Sequence, residues 1–286
     1  MGRRVLSDRD PAPEVSRHYR GGAGTPLVLL HPGGSSWRAW RPVLPALAAR
    51  HEVFAPTLAG HRGGPELGPG ERVSFRTITD HVERDLDDAG LEDVHVAGNS
   101  LGGAVALELA RRGRARSVVG FSPAGHIPSP WMAKRVLGAI EVGRRALLAP
   151  GAVRLLKVRA CRRGLMLPIL LHGERIPVDD LVLDARSCRI APALLRGVLA
   201  EGPFAALDPG SVPVRLAWSR RDRVIPWRTF GAPLAAKVSG AEVIKLPGVG
   251  HVPMYDDPAL VVRTILEVTT VVDGGSSDRD RLRRVE

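Results

Sequence analysis

Ser100 stands at the centre of the run Gly98-Asn99-Ser100-Leu101-Gly102, and a further glycine follows at 103. A serine hydroxyl is a weak nucleophile at neutral pH and attacks only with a general base beside it. Of the nine histidines, His251 has the setting of such a base. The segment LPGVGHVPMYDDP holds it in a loop fixed by glycine and proline, between a strand-like and a helix-like stretch. The imidazole in turn needs a carboxylate to set its tautomer and stabilise the cation formed on protonation. Asp222, in LAWSRRDRVIPW, lies just past a strand-like run and is the expected acid. Asp184 and Asp208 are alternatives, although neither follows a clear strand. The bland alternative for the serine is that Asn99 and Ser100 merely cap a helix.

Acyl chemistry also needs N–H donors aimed at an oxyanion. One is expected from the backbone of Leu101. The second is expected from His31-Pro32-Gly33-Gly34, after an earlier strand-like run. Pro32 has no N–H, which leaves Gly33 as the first choice and Gly34 as the next. His31 is read as a brace for this loop. His18, His51, His81, His95 and His172 are read as surface or packing residues.

Elements that could hold these groups alternate along the chain. Strands are expected at 26–31, 52–57, 93–98, 117–122, 214–219 and 241–247, with amphipathic helices near 36–50, 74–90, 101–112, 229–238 and 257–270. Near-continuous apolar strands separated by helices imply a parallel sheet covered on both faces, a doubly wound α/β architecture. Ser100 then sits where VHVAG gives way to an alanine- and leucine-rich helix. Such a sharp corner crowds its neighbours, which accounts for Gly98 and Gly102 on either side. Between 125 and 205 the strand signal vanishes and apolar residues recur at three- and four-residue spacing, as in helices. The expected organisation is a core over 1–124, a helical lid over 125–205, the rest of the core over 206–271, and a frayed polar tail over 272–286.

The chain has 286 residues, 44% hydrophobic and 25% charged, enough for one sizeable core. Its net charge of +11 comes almost wholly from arginine, and aromatic residues are only 4%. That balance fits a coding bias and a solvated basic surface better than a nucleic-acid site, which needs stacking platforms. No apolar run is long enough to span a bilayer, and no signal-like core follows the N-terminal arginines. A soluble, cytoplasmic protein is expected, with Cys161 and Cys188 reduced.

Taken together, LVLLHPGG, AGHRGGPE, VAGNSLGGAVALELA, AWSRRDRVIPW and LPGVGHVPMYDDP resemble the α/β-hydrolase superfamily, in order and over about residues 20 to 270. The resemblance implies an eight-stranded, mostly parallel sheet, a serine–acid–histidine triad of Ser100, Asp222 and His251, no metal and no organic cofactor. It departs from relatives at His31-Pro32, where many have His-Gly, and at Thr57, where an aspartate is usual. His61, in that second loop, is read as a loop brace or a lining residue of the pocket entrance.

Relatives that open epoxides or remove halides attack with aspartate, so a serine points instead to acyl transfer to water. The expected function is hydrolysis of a carboxylic ester or related acyl bond in a small, largely apolar substrate. Asn99 resembles the elbow of carbon–carbon bond hydrolases of ring-cleavage products, which gives one alternative. A cofactor-free peroxidase or lyase on the same triad and a low-turnover ligand-binding receptor are others. Arg135, Arg144, Arg145, Arg154, Lys157, Arg162 and Arg163 in the helical insertion suit an acidic substrate or anionic membrane. Solvated helix faces account for them more simply.

Overall fold

The computed structural model describes residues 16–61, 63–187, 193–194, 196–197, 204–208, 210 and 212–282. Its strands are β1 (His18–Gly21), β2 (Pro26–Leu30), β3 (Glu52–Pro56), β4 (Val94–Asn99), β5 (Ala115–Phe121), β6 (Val214–Ser219) and β7 (Glu242–Leu246). They form one sheet in the order β1-β3-β2-β4-β5-β6-β7. β1 runs antiparallel to β3, and every other pairing is parallel.

The apolar strands divide their side chains by the two-residue period of an extended chain. Val28 and Leu30 of β2 join Val96, Leu216 and Trp218 in one core layer. Leu27 and Leu29 point the other way, with Ala97 and Ala217. Helices α2 (Phe75–Asp88) and α3 (Leu101–Arg111) cover the first face through Ile78, Val82, Leu86, Val105 and Leu109. Helices α1 (Leu44–Ala48) and α9 (Pro258–Leu282) cover the second through Leu47, Val261 and Ile265. Complete burial of each such side chain stabilises the fold by roughly 2 kcal/mol. With both faces covered, the strands carry no polar alternation, which is why they read as apolar runs.

Two expectations change. Seven strands are present among the described residues, where the family resemblance implied eight. One of the seven, β1, has no apolar signal in its HYRG sequence because it is a half-exposed edge with a single neighbour. The tail expected to fray from 272 instead continues α9 through Leu282. Asp273 ties that region to the sheet by accepting a 3.0 Å hydrogen bond from the buried His95 on β4.

After β5 the chain leaves the sheet and builds α4 (Pro130–Leu147), α5 (Ala152–Lys157), α6 (Arg159–Met166) and α7 (Val178–Ser187) before returning at β6. Ser129 caps α4 by accepting from Met132 N–H, and Pro130 starts the helix where no N–H is needed. Trp227–Gly231 and the short α8 (Ala232–Ala235) precede β7. No helix among the described residues is long and apolar enough to cross a membrane.

The strand order fixes where a site can form. From β2 the chain moves outward to β3, then crosses back to β4 on the other side of β2. Connections leave in opposite directions there, which opens a crevice beyond the carboxyl ends of β2 and β4. The loop carrying Gly33 follows β2, and Ser100 follows β4.

Candidate active site

Ser100 occupies a backbone conformation, φ 53° and ψ −112°, that side chains other than glycine's rarely adopt. The corner is held on both sides: Ser100 N–H donates to Phe121 O at 3.0 Å, and its carbonyl accepts from Ala104 and Ala124 N–H. The bracketing glycines are steric necessities. A Cβ at 98 would lie 2.2 Å from Gly102 O, and one at 102 would lie 2.2 Å from Leu30 O. Strand and helix therefore cross closer than any side chain permits. Backbone strain of this kind costs about 1–3 kcal/mol and persists only where the surroundings impose it. Helix capping alone does not explain it, since the Ser100 side chain makes no cap hydrogen bond.

His251 and Asp222 come together as the sequence predicts. His251 Nδ1 donates to Asp222 Oδ2 at 2.7 Å, with side chains only 5% and 1% exposed. The second oxygen, Oδ1, accepts from Val224 N–H at 3.0 Å and Ile225 N–H at 2.8 Å. The Asp222 loop thus fixes its own carboxylate, which fixes the tautomer of the imidazole. His251, Ser100, Leu101 and Gly33 all line one cavity of about 270 Å³. Asp208 is exposed and accepts from Gly210 N–H, so it has no part here.

The oxyanion candidates separate. Gly33 lies against Leu101: a Cβ at 33 would be 3.6 Å from Leu101 Cδ2. Gly34 is corrected, because its N–H already donates to His61 Nε2 at 3.1 Å. His61 in turn shares Nδ1 with Ala59 O at 3.3 Å. His31 accepts from Leu58 N–H at Nε2 (2.9 Å), leaving Nδ1 to donate to Pro32 O (2.8 Å). Both imidazoles brace the loop as neutral groups. Burial, then the neighbouring His61, holds His31 well below the ordinary histidine range, and burial brings His61 down to about 4.

Two clamps escaped the sequence reading. Asn99 Nδ2 donates to Phe121 O at 2.9 Å and to His251 O at 3.0 Å, so the residue before the serine holds the backbone of the histidine. Asp256 accepts from Gly250, Leu171 and His172 N–H at 2.8–3.0 Å, tying the His251 loop to the segment between α6 and α7. Its neighbour Asp257 has a visible local signal as the cap of α9, before Pro258. Asp256 has none, since two of its partners lie 84 and 85 residues away. Asn99→Ala should lower stability by about 2 kcal/mol, leaving two buried carbonyls without that donor. It should also lower kcat, and thermal melts with ester kinetics would measure both.

Asp184, the other alternative acid, serves elsewhere in the same cavity. From α7 it accepts from Ser35 Oγ and Ser36 Oγ, each at 2.8 Å, on the loop that carries Gly33. Arg41 pairs with Asp180 of α7 at 2.5 Å beside it. Burial raises the Asp184 carboxyl to about 7, against the two serine hydrogen bonds, which lower it. Between an unfolded value near 3.8 and this one, the folded state keeps a proton that the unfolded state has released. Stability should therefore fall as pH rises from 4 to 7 and level off above. Asp184→Asn should raise the melting temperature at pH 8, by at most about 4 kcal/mol in stability, with the gain vanishing near pH 4.

The five histidines read as surface or packing residues are so occupied, whereas His126 lines the cavity with no hydrogen-bond partner at Nδ1 among the described residues. His51 bonds Thr269, His95 bonds Ser117 and Asp273, His81 bonds Glu71, and His172 bonds Glu174. His18 packs against Phe54 with the two rings tilted. No cluster of three or more potential metal ligands occurs among the described residues.

A parallel sheet with a strained serine corner at its switch point and a histidine–aspartate pair beside it defines a class. The chain belongs to the alpha/beta hydrolase family, whose model matches residues 27–264. It is 35% identical over 203 residues to epoxide hydrolase EphH of Mycobacterium tuberculosis, covering 68% of this chain and 94% of that one. It is 32% identical over 252 residues to the pimeloyl-[acyl-carrier protein] methyl ester esterase of Aromatoleum aromaticum, covering 81% and 93%. A thermophilic esterase from Thermogutta terrifontis superposes with a TM-score of 0.65 at 18% identity, covering 89% of this chain and 93% of that one. The chain is a hydrolase of this family.

Proposed function

We propose that the protein cleaves a carboxylic ester, or a related acyl bond, of a small and largely apolar substrate through an acyl-enzyme. The observation that carries this is the buried His251–Asp222 hydrogen bond opening onto the cavity that Ser100 also lines. Ser100 Oγ attacks the carbonyl carbon while His251 Nε2 takes its proton. The tetrahedral oxyanion is held by the N–H groups of Leu101 and Gly33. His251 then protonates the leaving alcohol, which departs. A water, deprotonated by His251, attacks the acyl-serine, and the acid leaves as Ser100 regains its proton.

The cavity wall favours an apolar acyl group, with Val136, Leu137 and Ile140 of α4, Leu165 and Met166 of α6, and Leu181 of α7. These helices are proposed as the lid.

The epoxide hydrolase relative favours a second reading, ring opening of an epoxide. Serine attack on an epoxide carbon would leave an ether, which has no electrophilic carbonyl for water to attack. An aspartate would leave a hydrolysable ester. Ser100 therefore favours acyl chemistry. Asn99 does not by itself argue for carbon–carbon cleavage, because its Nδ2 donates to two backbone carbonyls and so already has a holding role. A fluorophosphonate should label Ser100, and p-nitrophenyl esters should release p-nitrophenol in a burst, with the acid following as the acyl-enzyme turns over. Labelling elsewhere, or epoxide turnover without ester turnover, would overturn the proposal. Tight ligand binding without turnover would indicate a receptor, and product without acid release would indicate a lyase or peroxidase.

A further inference from the structure

We infer that the outer face of the helical insertion docks onto a bilayer surface carrying anionic lipid. Among the described residues, every exposed large apolar side chain except Val243 and Val271 lies between 131 and 167. Trp131 is 64% exposed and Val142 is 68% exposed, and Leu155, Val158, Leu165 and Leu167 accompany them. The same stretch, 130 to 167, contains nine basic residues and one acid, Glu141. Most of the chain's net charge of +11 is thus concentrated in this one segment.

The two kinds of residue share faces. On α4, Trp131, Lys134, Arg135, Val142 and Arg145 recur at helical spacing and are all exposed. Val136, Leu137 and Ile140 face the other way, into the cavity. Arg135 lies over the Trp131 ring at 6.0 Å, keeping apolar and cationic groups side by side. Beyond α4, Arg154, Lys157, Arg159 and Arg163 are exposed among Leu155, Val158 and Leu167. A helix surface with interleaved basic and bulky apolar residues suits the headgroup boundary of a membrane. Leu165 is both exposed and part of the cavity wall, so the patch borders a route to the site.

The charge argues against other occupants. A two-fold pairing of this face would set like charges against each other. Nucleic acid would satisfy the cations but leave the exposed valines and leucines without partners, and Trp131 is the only aromatic residue in the stretch.

The test is co-sedimentation with phosphatidylcholine vesicles, with and without phosphatidylglycerol. The protein should bind only the anionic vesicles, and release should follow at about 1 M salt, where the Debye length shrinks to about 3 Å. Each basic residue near such a surface strengthens binding about fivefold. The combined Lys134→Gln, Arg135→Gln, Lys157→Gln variant should therefore bind roughly a hundredfold more weakly. Trp131→Ala should weaken binding separately, and Arg135→Lys, which keeps the charge, should preserve it. All these variants should keep wild-type turnover of a soluble short-chain ester, which reports folding. Ser100→Ala should bind vesicles normally, so failure of the proposed chemistry would not touch this result. Equal binding to neutral vesicles, no vesicle binding, or undiminished binding by the glutamine variant would overturn the inference.

Discussion

Ser100→Ala is expected to lower kcat for a p-nitrophenyl ester by about a million-fold while leaving the fold intact. Alanine keeps a Cβ, so it inherits the unfavourable φ of 53° without adding to it. The hydrogen bonds that impose the corner all use the Ser100 backbone and survive the change. Activity should vanish with the melting temperature nearly unchanged. Ser100→Gly separates the two effects further. Glycine accepts the conformation freely, recovering part of the 1–3 kcal/mol held there, although its unfolded chain gains about 0.5–1 kcal/mol of freedom. The glycine variant should be as inactive as the alanine variant yet melt higher. Because the hydroxyl and imidazole act as one unit, Ser100→Ala with His251→Ala should be no less active than either alone. Single-turnover kinetics and thermal melts check all three, and an alanine variant that still forms acyl-enzyme would overturn the assignment.

What could be read from the sequence was whatever depends on neighbours along the chain. The strand running up to Gly98, the glycines two residues either side of Ser100 and the proline-fixed loop around His251 are local, and the structure has each of them, the strand extending one residue further to Asn99. The clash distances at Gly98 and Gly102 give those glycines the steric cause the spacing suggested. What could not be read was set by partners remote in sequence. Asn99 looked like a family marker, yet its side chain is a strut to the carbonyl of His251, 152 residues on. Gly34 looked like the next choice after Gly33 until His61, from the next loop, took its N–H. Asp184 looked like an alternative to Asp222 as the triad acid, and only the packing of α7 on the loop after β2 brings it to Ser35 and Ser36. β1 was hidden for a different reason: an exposed edge strand needs no apolar pattern.

Asp222→Asn is expected to lower kcat by about ten-thousand-fold with little loss of stability. The size of the effect follows from the donors around the carboxylate. Val224 and Ile225 N–H both point at Oδ1, so the amide of an asparagine must turn its oxygen to them and its NH2 toward His251 Nδ1. A donor at that point forces Nδ1 to accept, which moves the imidazole proton to Nε2. The nitrogen that must take the Ser100 proton then already carries one. The loop geometry, the buried packing and both backbone hydrogen bonds remain, so the melting temperature should shift by only a few degrees. NMR of the imidazole nitrogens would show the tautomer directly, with Nδ1 protonated in the parent and Nε2 protonated in the variant. Fluorophosphonate labelling of Ser100 should slow in step with ester turnover. An asparagine variant within tenfold of wild-type kcat would mean that His251 is oriented by something other than Asp222, and the proposed relay of roles would fail.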